Sequence, residues 1–307
     1  MGLPRSSGTK DALWEAIFHM DEIERVSELS VTEFNQRFLA KGKPIIIERA
    51  LSHWKAVQEW TVAGLADKLG DLSAPIKYPA REDSPPPGTR ELPLREFLGD
   101  VIAAQGSSPE QRYLFDYRIL AGNRPLNPVG EILQPDLGDI PYIPQNYYGN
   151  TSLFVGDDVE TELHYHHKSE AFLLVVSGRK SVVMIDPRDT RRLDMPAHSL
   201  FNSSTTQFKH ANRAFFRVCD ESWTRRVDLE PGEMLYIPLH WWHYVFSRQQ
   251  HISLTYWFRA EWRHWKWTPA LAPSLLEVAL AKRPLRLGLY SRLRQLASRP
   301  WSTARSR

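Results

Sequence analysis

From residue 113 to residue 258 the chain is written in short hydrophobic runs broken by turn signals, and this spacing limits the fold more than any other feature. Ser152–Val155, Ala171–Val176, Ser181–Ile185, Phe215–Val218, Met234–Ile237 and Ile252–Phe258 are rich in β-branched and aromatic residues. Runs of this kind at these intervals predict an all-β barrel or sandwich. Helical patterns come first. Ser30 and Thr32 precede Glu33-Phe34 and Phe38-Leu39, the pattern of a capped amphipathic helix. Pro44-Ile45-Ile46-Ile47 follows as a short buried strand, and Thr61 to Leu69 as a second helix closed by Gly70. Leu92 to Ala104 repeats apolar residues at helical spacing, beyond a proline-rich loop over Glu82–Gly88. Helices first and strands later predict helices decorating a barrel.

Composition sets the outer limits. The chain has 307 residues, 42% of them hydrophobic and 24% charged, enough to bury a substantial core. A formal charge of +3 gives no electrostatic case for nucleic acid. The single cysteine, Cys219, excludes an internal disulfide framework and fits a reducing compartment. No apolar run is long enough to span a membrane, and no signal-peptide pattern opens the chain, so the expected location is the cytoplasm. Residues 1–27 are expected to form a flexible lead. Residues 266–307 are expected to form a basic helical tail, with eight Lys or Arg and no acid after residue 281. Apolar residues there, such as Leu275, Leu276 and Val278, could pair two copies into a homodimer.

The chemistry concentrates in Leu163-His164-Tyr165-His166-His167-Lys168-Ser169-Glu170. Residues two apart on an extended segment share a face, so His164 and His166 can converge while Tyr165 points away. Two imidazoles on one side make half of a metal site. The other half lies near residue 240, where Pro231-Gly232-Glu233-Met234-Leu235-Tyr236-Ile237-Pro238 predicts a turn, a strand and a proline stop before Leu239-His240-Trp241-Trp242-His243. His243 is therefore expected just past a strand end, at a barrel mouth. Of the eleven histidines, His167, His210 and His240 are expected to be bystanders.

These segments resemble the cupin superfamily and, within it, the JmjC-like 2-oxoglutarate oxygenases, the asparaginyl hydroxylase of the hypoxia pathway among them. The resemblance covers roughly residues 28 to 260, takes in the Pro44–Ile47 strand, Trp54, Trp60 and Gly178-Arg179-Lys180, and is most specific over Gly232–His243. It implies a mainly β fold with flanking helices, a double-stranded β-helix (a cupin or jelly-roll barrel) over residues 28–265. It also implies that His164 and His243 are ligands to Fe(II), and that Thr161 and Lys180, with Tyr113, hold the distal carboxylate of 2-oxoglutarate. The expected partner is a small-molecule or peptide substrate.

The chain departs from the family at position 166, where His replaces the usual Asp of an HxD pair. The metal would be held by three neutral donors: His164, His166 and His243. Glu170 is a second departure, because His164-x-His166-x3-Glu170 followed by His243 resembles the general cupin motif of three histidines and one glutamate. Octahedral iron has six positions, and three histidines plus bidentate 2-oxoglutarate leave one open. A fourth protein ligand, Glu170, would close that arrangement. Three functions are thus in play: an Fe(II)- and 2-oxoglutarate-dependent hydroxylase with a three-histidine site, a cupin metalloenzyme that does not use 2-oxoglutarate, and a non-catalytic binding module.

Overall fold

The helices form where the sequence supplies caps. In the computed structural model, which describes residues 23–78, 88–104, 112–161, 163–193 and 224–261, Ser30 accepts from Glu33 N and Glu33 reaches back to Ser30 N. This capping box starts α1 (Val31–Glu33), which continues as a π-helical turn over Phe34–Leu39. A short helix, α2 (Lys55–Glu59), precedes α3 (Val62–Leu69), where Thr61 caps Gly64 N and Gly70 ends the helix as expected. Helix α4 covers Leu94–Ala104, two residues shorter at its start than its periodicity suggests. The missing residues belong to strand β4 (Gly88–Pro93), which pairs with β3 (Ser73–Tyr78).

The strands build two facing layers. One is a large sheet in which β12 (Met234–Ile237), β9 (Ser169–Ser177), β14 (His251–Arg259) and β7 (Tyr148–Gly156) lie side by side. It is extended at one edge by β2 (Ile45–Ile47) and β1 (Arg25–Val26), and at the other by β5 (Tyr113–Ala121), β3 and β4. The opposing layer has four strands, in the order β11 (Thr224–Leu229), β10 (Lys180–Ile185), β13 (Trp242–Ser247), β8 (Val159–Glu160). Every pairing in these layers is antiparallel except β1 with β2. This is the mainly β jelly-roll architecture expected, with helices on one outer face.

Strand alternation sorts the core. Ala171, Leu173 and Val175 on β9 face the small sheet and pack with Val182, Met184, Val227, Leu229 and Val245. Their neighbours Phe172, Leu174 and Val176 face the other way, onto Phe34, Leu65 and Phe97 of the helical layer. The runs starting at Ser152, Ala171, Ser181, Met234 and Ile252 all lie in strands, whereas Phe215–Val218 falls outside the described residues. Strand β11 escapes a hydrophobicity pattern because Arg225, Arg226 and Asp228 interrupt it on the edge of the small sheet. Ile23 is buried, and Arg25 and Val26 pair with Ile46 and Ile47. The rest of the N-terminal lead, residues 1–22, and the tail over residues 266–307, with the helices and homodimer expected of it, lie outside the described residues. Among the described residues no helix is long and apolar enough to cross a membrane.

Asp136 ties the helical layer together. It is buried after α5 (Pro128–Leu133), accepts from Trp60 Nε1 at 2.9 Å and Lys68 Nζ at 2.6 Å, and faces Lys55 Nζ at 3.0 Å. Burial alone would raise its pKa, but these donors outweigh it and hold the carboxyl at about 2. A depressed acid stabilises the fold fully above its unfolded pKa and loses that contribution as pH falls through the folded value. Asp136→Ala should therefore cost roughly 2 kcal/mol at pH 7. In thermal melts the gap to the parent protein should narrow between about pH 4 and pH 2; a gap constant over that range would remove the carboxylate from the account.

Candidate metal centre

His164 lies in an extended segment between β8 and β9, joined to β13 by one antiparallel bridge. His164 N donates to His243 O at 3.0 Å, and His243 N donates to His164 O at 2.8 Å. Two residues on, His166 turns to the same side. The ring centroids of His164 and His243 are 4.1 Å apart, those of His166 and His243 4.5 Å, and those of His164 and His166 5.4 Å. One ring nitrogen from each lies within 4.8 Å of the others. The three histidines meet as expected, but the local structure differs in two respects. His166 precedes the strand rather than lying on it, and His243 is the second residue of β13, opposite Met184, rather than beyond a strand end.

Their protonation suits a metal. His243 Nδ1 lies 2.9 Å from the Trp241 carbonyl, so that nitrogen carries the proton and Nε2 keeps the lone pair. Both ring nitrogens of His166 are buried without a hydrogen-bond partner, a costly state that a bound cation would relieve at one of them. Burial first, then His243 and His164, holds His166 well below the usual imidazole pKa; burial, then His164, does the same to His243. Neutral imidazoles are the form that binds metal, and three nitrogen donors fit a borderline dication such as iron or zinc. Trp257 packs edge-on against His166 at 4.4 Å.

The triad opens onto a cavity of about 590 Å³ between the two sheets. Thr161 and Lys180 both line it. Lys180 begins β10 and is buried, with Nζ donating to Tyr113 Oη at 3.1 Å and lying 4.9 Å from the Phe154 ring. Burial lowers its pKa to about 7. Burial also raises Tyr113 above the usual phenol range. Thr161 Oγ1 accepts from Val245 N at 3.0 Å, and a hydroxyl can accept one bond and still donate another. An ammonium and a hydroxyl on the wall of a buried cavity are suited to an anionic oxygen.

Glu170 does not join the metal group. It occupies the β9 parity of Phe172 and Leu174, behind the sheet, where its Oε1 accepts from Tyr236 Oη at 3.0 Å. Counting four residues on from His166 presumes a continuous strand, and the strand begins only at Ser169. His240 stands outside the triad; it is buried, burial lowers its pKa to about 3, and its φ of 66° lies in the left-handed region. His167 packs on Tyr165 rather than joining the group, and His210 lies outside the described residues. Among the aromatics near the site, Trp257 lines the cavity, whereas Trp241 joins the inter-sheet core and Tyr148 stacks on Tyr256. Sequence reasoning missed Asp116 and Arg118, which the β5 strand brings to the cavity wall.

A family model described as a cupin-like domain matches residues 31–264. The chain belongs to the cupin-like domain family. Curated relatives to which it is similar include JmjC-type proteins. It is 21% identical over 230 residues to a lysine-specific demethylase 8 of Xenopus tropicalis, covering 75% of this chain and 51% of that protein. It is 24% identical over 243 residues to a Jumonji C domain-containing protein 5 of Drosophila melanogaster, covering 77% and 60%. A human bifunctional peptidase and (3S)-lysyl hydroxylase is 25% identical over 268 residues, covering 75% of this chain and 81% of that protein. The cupin thus spans little more than half the length of the first two.

Removing one imidazole from this centre should abolish tight metal binding. His243→Ala is expected to weaken Mn(II) at least 100-fold in calorimetric titration. Glu170→Gln keeps the Tyr236 hydrogen bond and should leave the affinity within about twofold. A large loss in the Glu170 variant would restore it as a ligand.

Proposed function

We propose that this cupin is an Fe(II)- and 2-oxoglutarate-dependent oxygenase of the hydroxylase type, working with a three-histidine metal site. The observation that carries this reading is the pairing, in one cavity, of the His164–His166–His243 triad with Lys180 and Thr161 on the wall. Bound there, iron and the keto acid would supply oxidation of a C–H bond by dioxygen. The chain's own part is to hold, orient and exclude water. The three imidazoles would fix the ion, with His243 locked in its tautomer by Trp241 O. Lys180 and Thr161 would take the far carboxylate, and Tyr113 holds Lys180 in place. The buried sheet walls, Leu173, Ile237 and Val245 among them, keep that end dry. Glu170, turned behind the sheet, lends no support to a four-ligand centre. The relatives' names, demethylase and hydroxylase, agree with a substrate that is oxidised at carbon, either a peptide side chain or a small molecule entering at the mouth.

Succinate should form in a reaction that needs both iron and 2-oxoglutarate. Lys180→Ala should weaken 2-oxoglutarate binding to the Mn(II)-loaded protein by about 30- to 100-fold, the worth of a charge-assisted hydrogen bond. The pH dependence has a defined sign. With Lys180 at about 7 in the free protein, a bound carboxylate raises it, so binding above pH 7 must take up a proton. Affinity should fall by up to about tenfold per pH unit above 7, and Lys180→Ala should flatten that slope. Absence of 2-oxoglutarate binding to metal-loaded protein would end the proposal.

A further inference from the structure

Strand β5 carries a bulge beside the metal centre. Leu114 pairs with Val155 and Tyr117 with Leu153, so Phe115 and Asp116 together oppose the single residue Phe154. Plain alternation from Leu114, which faces the helical layer, would send Asp116 to that layer as well. The extra residue turns both Phe115 and Asp116 into the cavity. The turn is made at Asp116 itself, whose φ of 50° lies in the left-handed region that aspartate tolerates better than most residues.

The carboxyl delivered there is poorly satisfied. Ser152 and Trp257 face it, yet Oδ1 is buried without a hydrogen bond of good geometry. His164 and Arg118 are the charged or chargeable groups that bear on it. A strained, bulged and underbonded carboxylate on the wall of a metal cavity is a costly arrangement for structure alone. The centre it flanks is short of one negative charge, because position 166 offers an imidazole where the family resemblance leads one to expect a carboxylate.

We propose that Asp116 is the displaced carboxylate of this metal centre, supplying from the β5 bulge, beside His164, the charge that His166 does not. It lines the same cavity as the three-nitrogen group without joining it, and His164 is among the groups that bear on it, so it would act on the ion and on His164 through charge. The inference rests on the triad being a metal site, and its test separates the two.

The measurement is the Mn(II) dissociation constant, by calorimetry, of the parent protein, Asp116→Asn, Asp116→Gly, His166→Asp and the double variant Asp116→Asn/His166→Asp, with far-ultraviolet dichroism and melting temperature on each. Asp116→Gly suits the positive φ, so it removes the carboxylate without adding strain. Both single variants at Asp116 should weaken Mn(II) by about 10- to 100-fold, as loss of a neighbouring group around a metal typically does. With Asp restored at 166, the further change Asp116→Asn should cost less than about threefold. The proposal is overturned if either Asp116 variant binds within twofold of a metal-binding parent, or if the loss is undiminished in the His166→Asp background. A parent protein that binds no Mn(II) brings down the metal centre itself.

Discussion

Two backbone hydrogen bonds, His164 N to His243 O and His243 N to His164 O, hold the centre together. They end a ladder that starts with Val159 opposite Ser247 and Glu160 opposite Phe246, and continues through Thr161 N to Val245 O. Between Thr161 and His164 the chain advances three residues while β13 advances two, from Val245 to His243. On an unbroken strand a spacing of three would put Thr161 and His164 on opposite faces. The extra residue puts both on the cavity. The Thr161 hydroxyl and the His164 imidazole therefore share a wall because of this irregularity. A second irregularity, on β5, delivers Asp116. The site is made where the ladders break.

That is also why part of it was legible in the sequence and part was not. Hydrophobic runs mark strands buried on both faces, so β7, β9, β10, β12 and β14 showed themselves. The His164-x-His166 pair and the distal His243 could be recognised by residue type and motif, without knowing their register. Glu170 could not. Its side depends on where β9 begins, and the sequence contains no sign that the strand starts three residues after His166. Lys180 next to a glycine turn has the look of a solvated lysine, and only the resemblance assigned it to the cavity; its burial is set by pairing with Leu229 across the small sheet. Asp116 was invisible for a further reason, since a bulge has no composition of its own.

His240 shows how the loop before β13 is fixed. Trp241 N donates to Pro238 O, and His240 takes the left-handed conformation within that turn. A side chain there costs about 1 kcal/mol relative to glycine. The chain offsets this by packing: the His240 ring meets Tyr165 edge-on, and Tyr165 meets Trp242 at 4.6 Å. Trp242 Nε1 in turn donates to Thr190 Oγ1, and Trp241 Nε1 to Gly42 O. The two residues before His243 are thus each anchored through a ring N–H. Its imidazole, fixed further by Trp241 O, has little freedom to leave the group.

The electrostatics follow from that rigidity. A charge buried in a fixed cavity cannot be resolvated by movement, so the free site is cheapest when its groups are neutral. His166 and His243 are held neutral by burial, and Lys180, at about 7, is close to losing its charge. Under the proposed function, charge would enter with the ligands: a dication held by the three imidazoles, and a keto acid whose far carboxylate would meet Lys180 and favour its protonated form. Each charge meets its counter-charge on entry, and neither partner waits buried and alone. Under this scheme His at 166 lowers the cost of the empty cavity, since a carboxylate among the imidazoles would have to be desolvated before any metal was present. Asp116 satisfies the same condition from farther off. Burial raises its pKa, and a cation beside it would favour the charged form.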